Sequence, residues 1–247
     1  MNITKLADYS QPLVAAATVL GLSLLVSVSV GAYTAYQVKV AGDTIQVTGS
    51  AKEAVVADFG RWTMNLETKT GVFDQQAGLD RLERATDDII AHLKKLGFTE
   101  TETPSANIST TYIYPERAEP VHTGYSVSRQ ITLRSADIEA LSELSNNIAP
   151  LTGSGYQLTT GALELTYQKL PDMRVKLLTQ AIEDARARAE AIAKETGRSV
   201  GVLRSATGGV VQVLPQGGVD ISDYGSYDTQ SKNKDVMVTV RATFSIE

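Results

Sequence analysis

The chain has 247 residues, 43% of them hydrophobic and 21% charged, enough to bury one large core or two small ones and too apolar for disorder. Its 23 Lys+Arg against 28 Asp+Glu give a net charge of -5, so there is no basic surplus for phosphates and nucleic acid is not an expected partner. The absence of cysteine removes disulfides, thiolate metal sites and cysteine nucleophiles, and with His92 and His122 the only histidines, most imidazole metal sites and proton relays go too.

Residues 1–12 read as a short tail. No charge occurs from Tyr9 to Val38, and Leu13 to Tyr36 is an apolar run of 24 residues. As a helix it would be about 36 Å long, enough to cross a bilayer. A secretory signal has a shorter apolar region, about 7 to 15 residues, followed by a small-x-small cleavage site. Val30 and Ala32 could supply those small residues, but the length of the run favours a retained anchor with the lipid bilayer as its partner. Lys5 and the amino group against Asp8, with Lys39 and Lys52 beyond the span, favour a short tail inside and a body outside. Ser23, Ser27 and Gly31 recur at every fourth position, a spacing that lets helix backbones approach, and are candidates for helix association.

Residues 37–43 read as a linker and 44–247 as an α+β body. Alternation at Ile45, Val47, Gly49, Val55, Trp62, Met64 and Leu66 predicts two strands, with Phe59 out of phase. Leu79, Leu82, Thr86, Ile89, Leu93 and Leu96 then recur at helical spacing, with Asp74 as N-cap and Gly97 as stop. Residues 105–114 and 125–133 predict a long hairpin around Pro115 and Pro120, with Ile108, Tyr112, Val127, Ile131 and Leu133 facing inward. A shorter helix over 138–149, a glycine turn at Gly153 and Gly155, and a strand over 156–167 follow.

Pro171 opens the longest body helix, whose expected buried stripe is Met173, Leu177, Leu178, Ala181, Ile182, Ala185, Ala189, Ile192 and Ala193. Asp184 with Arg188 and Glu190 with Lys194 are spaced as ion pairs on its wet face, and Gly197 ends it. Strands over 200–213 and 236–246 close the chain around a loop at 215–234, expected to be mobile or functional. Runs of strands with helices between them argue for antiparallel sheets with helices packed on one face, arranged as two related halves.

Recognised chemistry is sparse. There is no Gly-x-Gly-x-x-Gly, no phosphate-loop lysine, no nucleophile elbow and no His-Glu-x-x-His. Asp220 to Gly225 imitates the start of a calcium loop, but Tyr224 stands at the fifth position and Ser231 at the twelfth, where ligands belong. No catalytic residue, cofactor or metal is expected, and each histidine reads as structural or solvated. Tyr112, Tyr114 and Tyr125 flank the hairpin tip, and Tyr224 and Tyr227 lie in the long loop; these are candidates for subunit contact.

Several phrases taken in order resemble one family. They are Ile45-Gln46-Val47-Thr48-Gly49-Ser50-Ala51, Ala57-Asp58, Gly97-Phe98 and Gly124-Tyr125-Ser126-Val127-Ser128. In the second half they are Ala181, Ala185, Arg188-Ala189, Ala193, Gly197, Gly201 and Val238-Thr239-Val240. Over roughly Asp43 to Glu247 the chain resembles the SIMPL-domain family of YggE-like bacterial envelope and periplasmic proteins. The resemblance implies an α+β body outside the cytoplasmic membrane, no established catalytic residues, and assembly of some members into rings or channel-like particles. The expectation is therefore a single-pass inner-membrane protein forming a homo-oligomeric scaffold. The alternatives are a small-molecule or lipid-binding module and, behind it, a carboxylate-based envelope hydrolase with the Asp220 to Asp228 loop as a lid.

Overall fold

In the computed structural model the backbone is described for residues 4–41, 43–220 and 222–247, and side chains for 14–36, 43–220 and 222–247. The flanking charges Lys5, Asp8 and Lys39 and the linker residue Gly42 lie outside the described side chains. The first helix, α1 (Thr4–Ala41), contains the stretch Val14–Tyr36, 23 residues long and apolar enough to cross a membrane, with none of it buried. Valine, leucine and alanine dominate it, and the hydroxyls of Thr18, Ser23, Ser27 and Thr34 turn back onto carbonyls one turn earlier, as Thr18 does to Val14 at 2.8 Å.

The body contains β1 (Thr44–Val56), β2 (Phe59–Thr70), α2 (Gln75–Lys95), β3 (Glu100–Glu102), β4 (Asn107–Ile113), β5 (Val121–Ser135) and α3 (Ile138–Asn146). After a 3-10 turn come β6 (Gln157–Thr160), β7 (Glu164–Thr166), α4 (Leu170–Glu195), β8 (Val200–Gly208), β9 (Gln212–Pro215) and β10 (Asn233–Ile246). Contacts divide the chain into two units, one of 1–50, 180–209 and 239–247, the other of 51–179 and 210–238. Segments of β1, α4 and β10 belong to each.

In the larger unit β2 is the centre of a six-stranded antiparallel sheet ordered β3-β5-β2-β6, with β4 also on β5 and β7 on β2. Period-two alternation places Trp62, Met64 and Leu66 of β2 and Val127, Ile131 and Leu133 of β5 on one face, where Leu82, Ile89 and Leu93 of α2 and Leu141 and Leu144 of α3 cover them. Each such side chain contributes about 1.5–3 kcal/mol on burial. The Trp62 indole donates to the Gly161 carbonyl at 3.0 Å, at the break that splits the expected single strand over 156–167 into β6 and β7.

Two hairpin positions differ from expectation. Ile108 and Tyr112 are 38% and 46% exposed. They lie on β4, an edge strand, while α2 packs on β2 and β5. Asp74 precedes α2, but its side chain makes no capping bond. Gly97, at φ +93°, ends that region as expected.

The long loop of this unit is tied down at both ends. The Gln212 amide donates to the Ser222 carbonyl at 2.6 Å and accepts from the Ser226 N–H at 2.7 Å. The fully buried Lys234 ammonium donates to the Asp228 carbonyl at 2.7 Å and to its carboxylate at 3.0 Å.

In the smaller unit β10 lies between β1 and β8, with Val240 opposite Gly208 and Ile246 opposite Val200 in the antiparallel β8 pairing. The Ile246 N–H donates to the Asp43 carbonyl at 3.1 Å on the other side. The second half of α4 lays Ala181, Ala185, Ala189 and Ala193 inward, all buried. A Cβ on Gly49 would come 2.1 Å from the Ala181 carbonyl oxygen, so the helix backbone rides directly on β1. The expected stripe was wider: Leu178 and Ile192 are exposed. Asp184 pairs with Arg188 as expected, whereas Glu190 pairs backward with Arg186 instead of forward with Lys194.

Candidate functional site

Ser23, Ser27 and Gly31 fall on one exposed face of α1, and the serine hydroxyls are occupied within the helix, Ser23 on Leu20 at 2.9 Å and Ser27 on Ser23 at 2.8 Å. The tyrosines at the hairpin tip do come together, around a histidine. Tyr112 lies tilted at 5.4 Å from the His122 ring and Tyr125 meets it edge-on at 5.0 Å, and Tyr114 lies 6.4 Å from Tyr112. The His122 Nε2 is hydrogen-bonded to the Gly124 carbonyl at 2.9 Å. Among the described residues no ring contact joins Tyr224 or Tyr227 to this cluster, and Tyr224 is 97% exposed.

A concavity lies elsewhere, along the flank of α2. It is a groove of about 610 Å³. One wall is a single helical stripe, Arg81, Arg84, Asp88, His92 and Lys95, at successive spacings of three or four residues. The other is the segment Pro150 to Ser154 with Tyr156, and Ala85, Ile89 and Leu151 supply apolar surface between them. A hollow of about 260 Å³ shares Arg81 and Tyr156 with it, and a more apolar one of about 590 Å³, reaching Phe98 and Leu144, shares His92 and Pro150.

Local bonds hold the walls in place. The Tyr156 hydroxyl donates to the Leu151 carbonyl at 2.7 Å, closing the loop on itself. Gly155 sits at φ +92°, in the left-handed region, and a Cβ there would come 3.0 Å from Cδ of Arg81. Its carbonyl accepts from the Thr68 hydroxyl at 3.0 Å, and the Arg81 guanidinium reaches the same hydroxyl at 3.4 Å. Burial, with the Asp88 charge adding to it, raises the Tyr156 phenol above its ordinary pKa, so the ring stays neutral and its hydroxyl stays a donor. Arg84 and Lys95 have no ion-pair partner among the described residues. Among the described residues no cluster of three or more His, Cys, Asp or Glu side chains could hold a metal. Hydrogen-bond donors and cations lining a shallow trough can hold a ligand.

A family model described as SIMPL, protein of unknown function (DUF541), matches residues 45–244. The chain belongs to the SIMPL family. No curated protein matches it in sequence. The SIMPL match runs from the second residue of β1 to within three residues of the chain end and leaves out α1. Its description assigns no reaction, so the groove of this SIMPL protein stands on its geometry alone. Reading the sequence found the glycine turn at Gly153 and Gly155 but not the groove. The available signal was the run of Arg81, Arg84 and Lys95 along one helical stripe.

Proposed function

We propose that this SIMPL protein is a single-pass, membrane-anchored homo-oligomer of the bacterial envelope, with its body in the periplasm or outside the cell, serving as a scaffold rather than a catalyst. The anchoring part is supported by Val14–Tyr36, an unburied apolar helix about 34 Å long at 1.5 Å per residue.

One observation carries assembly: the open edge at β8. Among the described residues this nine-residue strand pairs with β10 on one side only, and its Val202 and Leu203 are 60% and 41% exposed. Soluble proteins blunt such edges with charges, prolines or covers, and here Arg204 is the single charge within the strand. β1 is the other edge of the same sheet, so β8 of one copy joined to β1 of the next would be a heterologous contact that closes into a ring when the rotation allows. The exposed rings of Tyr112 and Tyr114 offer further subunit contact, and Ser23, Ser27 and Gly31 would let adjacent anchors pack.

The test is the mass of the full-length protein in mild detergent by light scattering, beside a chain beginning at Asp43 and a Val202→Lys variant. The expected outcome is a large symmetric particle that survives loss of the anchor and dissociates on V202K. A monomer at micromolar concentration in every sample would end the scaffold reading.

A second reading, a small-molecule-binding module, is favoured by the preorganised groove beside α2, whose walls are tied by Tyr156 to Leu151 and by Arg81 to Thr68.

A further inference from the structure

We infer that the groove beside α2 binds a small, hydroxyl-bearing molecule through its anionic groups, phosphate or carboxylate, as an acidic saccharide would be held; this rests on the binding-module reading. The chain as a whole is acidic, with a net charge of -5, yet this groove is basic. Arg81, Arg84 and Lys95 line it against the single acid Asp88. Among the described residues some cations elsewhere are taken up by neighbours, as Arg61 is by Glu164 and Lys176 by Glu53, and others such as Lys94 and Arg174 are not; what sets this groove apart is that its cations gather in one concavity. Arg84 and Lys95 keep no such partner among the described residues. Two arginines three positions apart on one helix repel each other, and an anion between them relieves that cost.

The arrangement also selects for shape. Arg84 and Lys95 are about 16 Å apart along the helix axis, and Asp88 lies between them. A uniform polyanion would meet Asp88 in the middle of its length. A molecule with its charge toward the Arg81 and Arg84 end and hydroxyls alongside Asp88 meets a carboxylate acceptor there instead. Ser154 adds a hydroxyl to the facing wall.

Isothermal titration of the full-length protein in uncharged detergent at fixed ionic strength tests this, with glucuronate, glucose 6-phosphate and maltotriose as probes. The two acidic probes separate a carboxylate source from a phosphate source. The expected result is that at least one acidic probe binds about tenfold or more tighter than maltotriose. Arg84→Gln should remove most of that preference and Lys95→Gln, at the far end of the groove, a smaller part of it, while Lys94→Gln, next in sequence but off the groove, leaves it intact. All three side chains are exposed, and circular dichroism melts check that the variants fold. Maltotriose binding as tightly as the acids would overturn the anionic inference and leave the binding-module reading standing. Acid binding indifferent to R84Q and K95Q would overturn the placement in this groove. No heat with any probe at millimolar concentration would overturn both.

Discussion

Lys234 is an ammonium with no access to water, and all of its compensation comes from Asp228. Burial alone would raise the Asp228 carboxyl. The hydrogen bond and charge of Lys234, with the Gln230 and Ser231 N–H groups, outweigh burial and hold it below the usual aspartate range. Asp235 is likewise held low, by the Gly217 N–H first and by Lys52, and Asp184 by the Ser50 N–H and Arg188. A carboxyl whose folded pKa is depressed contributes stability that is full above its unfolded value, about 3.9, and that is lost as pH falls through the lower folded value. Stability should therefore hold steady down to about pH 4 and fall below it, and D228N should make that acid limb shallower in urea melts taken across pH. Removing the cation leaves the half-buried aspartate with only its Gln230 and Ser231 N–H donors, so Lys234→Met should cost about 1–3 kcal/mol in a urea melt at neutral pH.

At the scale of the element, α4 and β1 meet through the smallest side chains available. Gly49→Ala has to move the Ala181 carbonyl or the whole helix, and should cost about 2–3 kcal/mol by thermal or chemical denaturation. The alanine ridge itself was legible, because Ala181, Ala185, Ala189 and Ala193 keep a strict four-residue spacing. Its width was not: a helix lying this close to a sheet buries a narrow strip, and Leu178 and Ile192 fall beside it. Strand pairs and their inward faces were legible wherever a helix covers them, as at Ile131 and Leu133. They were misread at Ile108 and Tyr112, where edge position rather than alternation decides exposure. The Glu190 partner was misread because a spacing of four is met on both sides of it, by Arg186 and by Lys194. The groove was the least legible part, since Tyr156 lies 75 positions after Arg81 and only the tertiary fold brings their segments together.

At the scale of the molecule, the proposed anchor and the body are separate stretches of the chain. The full chain should stay with the membrane fraction through alkaline extraction and come out only with detergent, while a chain beginning at Asp43 should be released. Release of the full chain by alkali would show that the apolar helix is cleaved or lies outside the bilayer. The pairing of the smaller unit also sets a clock. Asp43, just before the first body strand, is bonded to Ile246, 203 positions later in the chain. At about 5–20 residues per second, β1 waits some 10–40 s for the strand that completes it. Through that interval its hydrogen-bonding groups are exposed to any other strand, including that of a neighbouring nascent copy. The same long-range closure predicts refolding on the millisecond-to-second scale of non-local β proteins, and loss of the smaller unit on truncation before Thr239.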